Sequence, residues 1–512
     1  SNAISHIKYP ALYAATKRNT VTGQLEFEKT LDAVDMYQTS GSDGSRREFL
    51  DLLLHWDRTF LKAHSFGANV KFTQDANIAT QNLGKDIKNS VARRNMGLAS
   101  QFTYNYKNRY FIDYNFGYNG SENFADGHRW GFFPAWSVAW NIGEEPFVQK
   151  RAPWINMFKL RYSRGKVGND DMGTRFPYLY SLSDVASKDR AYSWGIANTN
   201  LYKGIYYYQV ASNRVTWEVA HKHDAGIDLV LFDNKLSLTA DYFYEKRAGI
   251  YMVRKYMPQI AGLGHWNLPR ANIGEVKSQG VDGNFKYEQR FGEVGVTVRG
   301  NMTYSKNEIL EYDEENNIYG YKNMRGYRVD QVRGLVALGL FKDYDDIRNS
   351  PQQQFGTVQP GDIKYKDVNG DGVVNANDEV AIGATSKPNL IYGLCISVQW
   401  KAFDFNLHFQ GAGKSTFLIN GKSVYAFSQE QWGNIFTGML DNRWISSDLS
   451  GTTATENPNA TYPRLSYGAN ENNYRASSYW LRDGRYLRLK NLDFGYTLPK
   501  SLSVKLHLTH MR

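Results

Sequence analysis

The sequence predicts an all-β protein, a large antiparallel barrel of the membrane-spanning kind, and three observations carry that prediction. Apolar and polar residues alternate with a period of two along most of the chain, while helical spacing is scarce. The alternating stretches are about ten residues long, which is what a tilted strand needs to cross a bilayer. Short turns join some of them and long polar loops join others, the asymmetry expected of such barrels.

Taken in order, Leu50, Leu52, Leu54 and Trp56 alternate with Asp51, His55 and Asp57. The turn Lys107-Asn108-Arg109 separates two further stretches, and Phe158–Tyr162 follows. Ala225–Leu231 and Leu236–Tyr244 flank the turn Phe232-Asp233-Asn234-Lys235. Val294, Val296, Val298, Met302 and Tyr304 share one face, with Thr297, Arg299, Asn301 and Thr303 on the other. Leu394, Ile396, Val398 and Trp400 alternate with Cys395, Ser397 and Gln399. Phe403, Phe405, Leu407 and Phe409 interleave with Asp404, Asn406, His408 and Gln410, so the first four are assigned to lipid and the last four to the lumen. Leu492–Leu498 closes the series. The long loops are Gly168–Asn213 and Gly411–Ala476, and Tyr104, Tyr106, Tyr110, Trp136, Trp140 and Tyr496 sit near strand ends, as interfacial girdles require. A large soluble β protein would share the alternation; strand length and loop asymmetry favour the barrel.

Composition agrees. Of 512 residues 15% are aromatic, with 36 Tyr, 27 Phe and 12 Trp, a bias suited to half-buried pleated surfaces. Mean hydropathy is −0.56 and the longest apolar run, Gly334–Phe341, is too short for a membrane helix. The net charge of +10 is scattered, with no recognition helix or RNA-binding strand motif, so nucleic acid is not an expected partner. The single cysteine, Cys395, excludes an internal disulfide framework. No linker divides the chain, so residues 1–512 read as one domain. It opens Ser1-Asn2-Ala3 without Met or a secretory signal and stops in mid-strand at Lys505–His510, so a fragment is expected.

One local motif carries metal chemistry. Asp367, Asn369 and Asp371 recur by twos, Gly372 permits a sharp bend, the Val373 carbonyl, Asn375 and Asp378 follow, and the whole fits an oxygen-donor loop for a structural Ca²⁺. It departs from a helix-flanked calcium loop in ending on Asp and in lying between strand-like segments. An Asx-rich turn that needs no ion is the alternative. Gly411–Thr416 imitates a phosphate loop but has His408 where the first glycine belongs. His221-Lys222-His223 offers two imidazoles without an evident third ligand. No nucleophile elbow or zinc-protease motif occurs, so an enzyme is not expected.

Several ordered blocks resemble the SusC-like TonB-dependent transporters (the SusC/RagA family) of the Bacteroidota outer membrane. They are Phe132–Trp140 with Glu145-Pro146-Phe147, Phe158–Ser163 with Gly165 and Gly168-Asn169, and Trp217-Glu218 through Gly226-Ile227-Asp228 to Ala240–Phe243. Asn272-Ile273-Gly274, Gly280-Val281-Asp282, Gly361–Asp367 with Ile382-Gly383 and Pro388, Gln410-Gly411, and Leu481–Leu492 with Gly495-Tyr496 complete the series. The resemblance implies an incomplete portion of a 22-stranded outer-membrane barrel without its plug, of which this length should hold 14 to 18 strands at about 30 residues each. It implies import of a nutrient, an oligosaccharide (glycan) foremost and an oligopeptide as the alternative. A SusD-like surface lipoprotein, TonB and outer-membrane lipid are the implied partners. Trp194, Tyr206, Tyr207 and Tyr208, on a long loop, are candidates to stack against a sugar. A calcium-stabilised surface adhesin or carbohydrate-binding β protein is the competing reading, and it leaves the order of the blocks unexplained.

Overall fold

The computed structural model describes residues 2–512 apart from 43, 80–90, 185–191, 198–199, 203, 259, 261–267, 422–423, 428–434, 447–456, 458, 500–504 and 506–510. The terminal strand expected at 505–510 thus lies, except for Lys505, outside the described residues.

Thirteen strands form one antiparallel sheet. The first six are β1 (Ser45–Phe60), β2 (His64–Ala79), β3 (Arg93–Tyr106), β4 (Tyr110–Ser121), β5 (Trp130–Asn141) and β6 (Ile155–Asn169). Next come β7 (Glu218–Leu231), β8 (Leu236–Val253), β9 (Arg270–Phe291) and β10 (Val294–Glu311). The last three are β11 (Leu390–Trp400), β12 (Phe403–Gly413) and β13 (Tyr486–Tyr496). Each strand pairs with its predecessor, so the sheet is a meander from β1 at one edge to β13 at the other. The main sheet holds fewer strands than length alone suggested. The stretches 312–389 and 414–485 are spent on connections, and β9 alone takes 22 residues.

The connections alternate between two rims. On one lie the tight turns 61–63, 107–109, 232–235, 292–293 and 401–402, together with 142–154, which holds two short helical turns. Leu61 and Lys62, Lys107 and Asn108, and Phe232, Asp233 and Asn234 all take positive φ between 50° and 65°. That left-handed pair gives a hairpin turn whose twist matches the strands it joins. On the opposite rim lie 122–129, 170–217, 254–269, 312–389 and 414–485. The aromatic girdle is real at the short-turn rim: Tyr110 stacks on Trp140 at 6.4 Å, Trp154 on Phe232 at 5.4 Å and Trp400 on Phe403 at 6.0 Å.

Register fixes the faces, because residues directly opposite on adjacent strands share one side of the sheet. Ile112, Val138, Tyr162, Ala225, Tyr242, Val281, Tyr304 and Leu390 form one apolar row from β4 to β11. One residue along, on the other face, Ala139, Arg161, Gly226, Asp241, Asp282 and Thr303 form a mainly polar row. A sheet apolar on one face and polar on the other over this breadth has the two solvents of a barrel wall, hydrocarbon outside and water inside.

Candidate functional site

Two places on this framework concentrate polar side chains. The first is the polar face at mid-height. Arg161 Nε donates to Asp228 Oδ2 at 3.0 Å and Nη2 donates to Asp241 Oδ2 at 2.7 Å, while Asp224 Oδ1 lies 3.8 Å from Nη1. Gly226 makes room for the group, since a Cβ there would fall on Asp241 Oδ1 and the Arg161 guanidinium. Three carboxylates around one guanidinium leave an acidic excess on the inner wall. Further along that face, pairing places Cys395 opposite His408 and Ser397 opposite Asn406, with Gln410 facing Arg488 and accepting its Nη2 at 2.8 Å. Asp404, Asn406, His408 and Gln410 therefore share a face, opposite to that of Phe405, Leu407 and Phe409.

The second place is the long-loop rim, where 312–389 and 414–485 fold together into a module with its own core. Leu335, Phe355, Ile363, Tyr365, Val374 and Trp480 are its buried apolar residues. Short strands stitch it: Gln331–Gly334 on Val380–Thr385, Ala337–Leu340 on Ile363–Tyr365, and Thr416–Leu418 on Leu481–Asp483. Asp362, with no exposed surface, lies at the junction of the two stretches. Its carboxylate accepts from Asn473 Nδ2 at 2.9 Å, Asn470 Nδ2 at 3.2 Å, Arg464 Nη2 at 3.2 Å and the Gln359 N–H at 2.8 Å. Beside it the Tyr365 hydroxyl donates to the Asn472 carbonyl at 2.8 Å, and Gln353 Nε2 donates to Asn472 Oδ1 at 2.6 Å. Burial pushes the Tyr365 hydroxyl well above the ordinary tyrosine range and pushes that of Tyr479 up to about 12.

The loop 367–378 belongs to this module and lies, as expected, between strands, Ile363–Tyr365 and Val380–Thr385. Asp367 accepts from the N–H groups of Gly370 at 2.7 Å and Gly372 at 2.8 Å, and both glycines take left-handed backbone. Asp371 Oδ1 accepts from the Val373 N–H at 2.8 Å and Asn375 Oδ1 from the Asn377 N–H at 2.7 Å. Asp378 is wholly buried, and its two oxygens accept from the N–H groups of Val368 and Asn375, each at 2.8 Å. The donor set suits calcium, all oxygen and no sulfur or nitrogen. As arranged, however, Asp378 serves the loop's own backbone, and no three His, Cys, Asp or Glu side chains converge on a cation position among the described residues.

The four aromatic candidates lie on small hairpins of the 170–217 connection. Tyr192–Trp194 pairs with Asn200–Tyr202, and Ser181–Asp184 pairs with Ile205–Gln209. Trp194, Tyr207 and Tyr208 are exposed by 58%, 48% and 66%, open to a partner or solute, and Tyr206 is half-buried. His221 and His223 share a face of β7, with the Tyr162 hydroxyl 2.8 Å from His223 Nδ1. The Asp362 and Arg161 clusters were not singled out from sequence. Both fall inside blocks that carried the family resemblance, 361–367 and 158–163 with 226–241, and that was their only signal.

Comparison with known proteins bears on this architecture. No family model matches the chain. It is 26% identical over 431 residues to TonB-dependent receptor P3 of Formosa agariphila, covering 80% of this chain and 39% of that protein. It is 23% identical over 407 residues to TonB-dependent receptor SusC of Bacteroides thetaiotaomicron, covering 78% of this chain and 37% of that protein. The fold matches a structure of the RagAB peptide transporter with a TM-score of 0.65 at 17% identity, covering 90% of this chain and 50% of that one. The chain is thus similar in sequence to TonB-dependent receptors, SusC among them, and similar in fold to the RagAB peptide transporter. This SusC-like chain spans roughly two fifths of the curated relatives it matches, which are 39% and 37% covered.

Proposed function

We propose that this chain forms wall and mouth of an outer-membrane importer driven by TonB, with a glycan as its solute and a SusD-like lipoprotein over the long-loop rim. The observation that carries the reading is the division of one meander sheet into a mainly apolar face and a polar face, with folded loops on one rim only. The exposed rings of Trp194, Tyr207 and Tyr208 support a glycan, because sugar faces stack on aromatic rings while their hydroxyls need polar neighbours. The test is a deletion strain grown on single glycans and on oligopeptides as sole carbon sources. Loss of growth on one glycan is expected and should be reproduced by Trp194→Ala with Tyr208→Ala. Loss confined to oligopeptides would replace the glycan with a peptide, and unchanged growth on all would end the import reading.

A structural Ca²⁺ at the bend of loop 367–378, on Asp367, Asn369, Asp371 and the Val373 carbonyl, is part of the proposal, supported by the oxygen-only donor set. It supplies stiffness and no chemistry. Addition of CaCl₂ to EDTA-treated protein should raise the melting temperature by several degrees through linkage. An unchanged value leaves a self-sufficient Asx turn.

A further inference from the structure

The apolar face changes character toward the long-loop rim. The row Tyr162, Ala225, Tyr242, Val281, Tyr304 is followed, two residues nearer the rim, by Arg164, His223, Tyr244, Gln279, Lys306. Two residues further stand Lys166, His221, Lys246, Lys277 and Glu308. Two-residue steps along a strand advance about 7 Å, so the cations form a band within about 15 Å of the tyrosine row. Lys246 and Lys277 lie directly opposite one another, a pairing that destabilises a sheet unless anions compensate. Glu275 reaches Lys246 at 2.8 Å and Glu308 reaches Lys277 at 2.9 Å, and that is the compensation the strands themselves provide. Arg164, Lys166 and Lys306 have no acidic partner within 4 Å among the described residues. Five cations thus meet three carboxylates, the third being Glu311 opposite Glu275, which Arg325 also reaches at 4.0 Å. On the opposite face the balance is reversed, with Lys222 matched by Glu245 and Arg161 by three aspartates.

Below the tyrosine row the same strands carry an apolar groove of about 570 Å³. Its floor is Ala240 and Gly283, its walls include Ile227, Leu238 and Met302, and the Phe285 ring lies over Gly300. The small floor residues let a chain lie against the backbone beside the Phe285 ring.

We propose that this face of β6–β10 is a binding site for a phosphorylated, acylated lipid. Its head-group phosphate rests on Arg164, Lys166, Lys246, Lys277 and Lys306, and an acyl chain lies in the Ala240–Gly283 groove beside the Phe285 ring. Clustered Lys and Arg at a membrane surface select anionic head groups, and charge-assisted hydrogen bonds hold phosphate oxygens more strongly than neutral ones. The inference rests on the outer-membrane reading with the long loops outside, which places the band at the outer leaflet. There the lipid neutralises the unpaired cations, and neither a soluble anion nor a neutral lipid would fill both parts of the site.

The experiment is native mass spectrometry of the receptor purified from outer membranes in mild detergent, with two probes, bisphosphorylated lipid A and the same lipid dephosphorylated. Retention of the phosphorylated form at least tenfold above the other is expected. The triple variant Arg164→Glu, Lys166→Glu, Lys306→Glu should lose that preference, and Ala240→Phe, which fills the groove and leaves the charges, should weaken both probes. Excess sodium phosphate should displace neither. Equal retention of the two lipids, displacement by inorganic phosphate alone, or a changed oligomer mass in the triple variant with lipid binding intact would each overturn the site. Absence of the wild-type protein from the outer-membrane fraction would instead mark a failure of the membrane reading.

Discussion

Asp362 is the residue on which the outer module turns. It is fully buried, and its carboxylate gathers Asn470, Asn473 and Arg464 from the second long connection onto the first. Asp362→Ala would leave the guanidinium of Arg464, 18% exposed, without its counter-ion. Removing one partner of a buried pair costs about 3 kcal/mol. The expected outcome is early protease cleavage within 312–389 and 414–485 with the strand core intact, and unchanged cleavage would remove Asp362 from this role. Two tyrosines of the same module give a pH signature. The hydroxyl of Tyr479 is raised to about 12, above the ordinary value of 10.0, and Tyr365 is raised further by burial. Between those values the unfolded module ionises and the folded one does not. The stability tied to the neutral hydroxyls is therefore complete below pH 10 and is lost as pH rises through about 12. Absorbance at the tyrosinate band should show these two rings titrating last, coincident with loosening of the module, and Tyr479→Phe should remove part of that transition. None of this was legible beforehand, because Asp362 and Asn473 are 111 positions apart and no period links them. The calcium-like loop was legible as a bend for the opposite reason, since Asp367 and Asp371 bond to backbone only two to five residues away.

Strands were the readable element. A period of two assigns every residue to a face as soon as one is assigned, and the tight turns at 107–109 and 232–235 set the register between neighbours. Phe403–Gln410 therefore came out with its two faces distinct. The strand lengths did not, because polar residues such as Lys246 and Lys277 extend β8 and β9 beyond the apolar core and break the alternation used to find them. What the pattern also misses is how neighbouring strands share charge. Arg161 on β6 answers Asp228 on β7 and Asp241 on β8, and Gly226 between them is the gap that permits it. Arg161→Leu should leave the aspartates facing one another and lower the free energy of barrel unfolding by about 2 kcal/mol at their partial burial, read as a lower urea midpoint. Gly226→Val should reproduce that loss by displacing the guanidinium. If Gly226→Val unfolds at the wild-type midpoint, the cluster is ornamental to stability.

At the scale of the molecule the decisive feature is that, among the described residues, the main sheet ends on β1 at one side and on β13 at the other. β1 is exposed along its whole length and β13 along nearly all of it, and they stand at opposite ends of the sheet. An edge strand leaves half of its backbone N–H and C=O groups without partners. In hydrocarbon each such group costs several kcal/mol, which is why membrane strands occur only in closed barrels. β1 spans 16 residues and β13 spans 11, so the uncompensated backbone far exceeds what side-chain burial in lipid returns. The described sheet consequently needs further strands between β13 and β1, or a direct meeting of the two. With 13 strands a direct meeting would put antiparallel neighbours in the wrong sense, since β1 and β13, both odd in a meander, run parallel. The 512-residue chain refolded alone in detergent should therefore give no discrete conductance step in a planar bilayer and should self-associate through its edges. The same strands within a longer receptor should show slow backbone hydrogen exchange in β1 and β13, equal to that of β8 and β9. A discrete, reproducible pore from the short chain would mean that β1 and β13 do close on each other, and the proposed wall would then be a complete barrel of a smaller class.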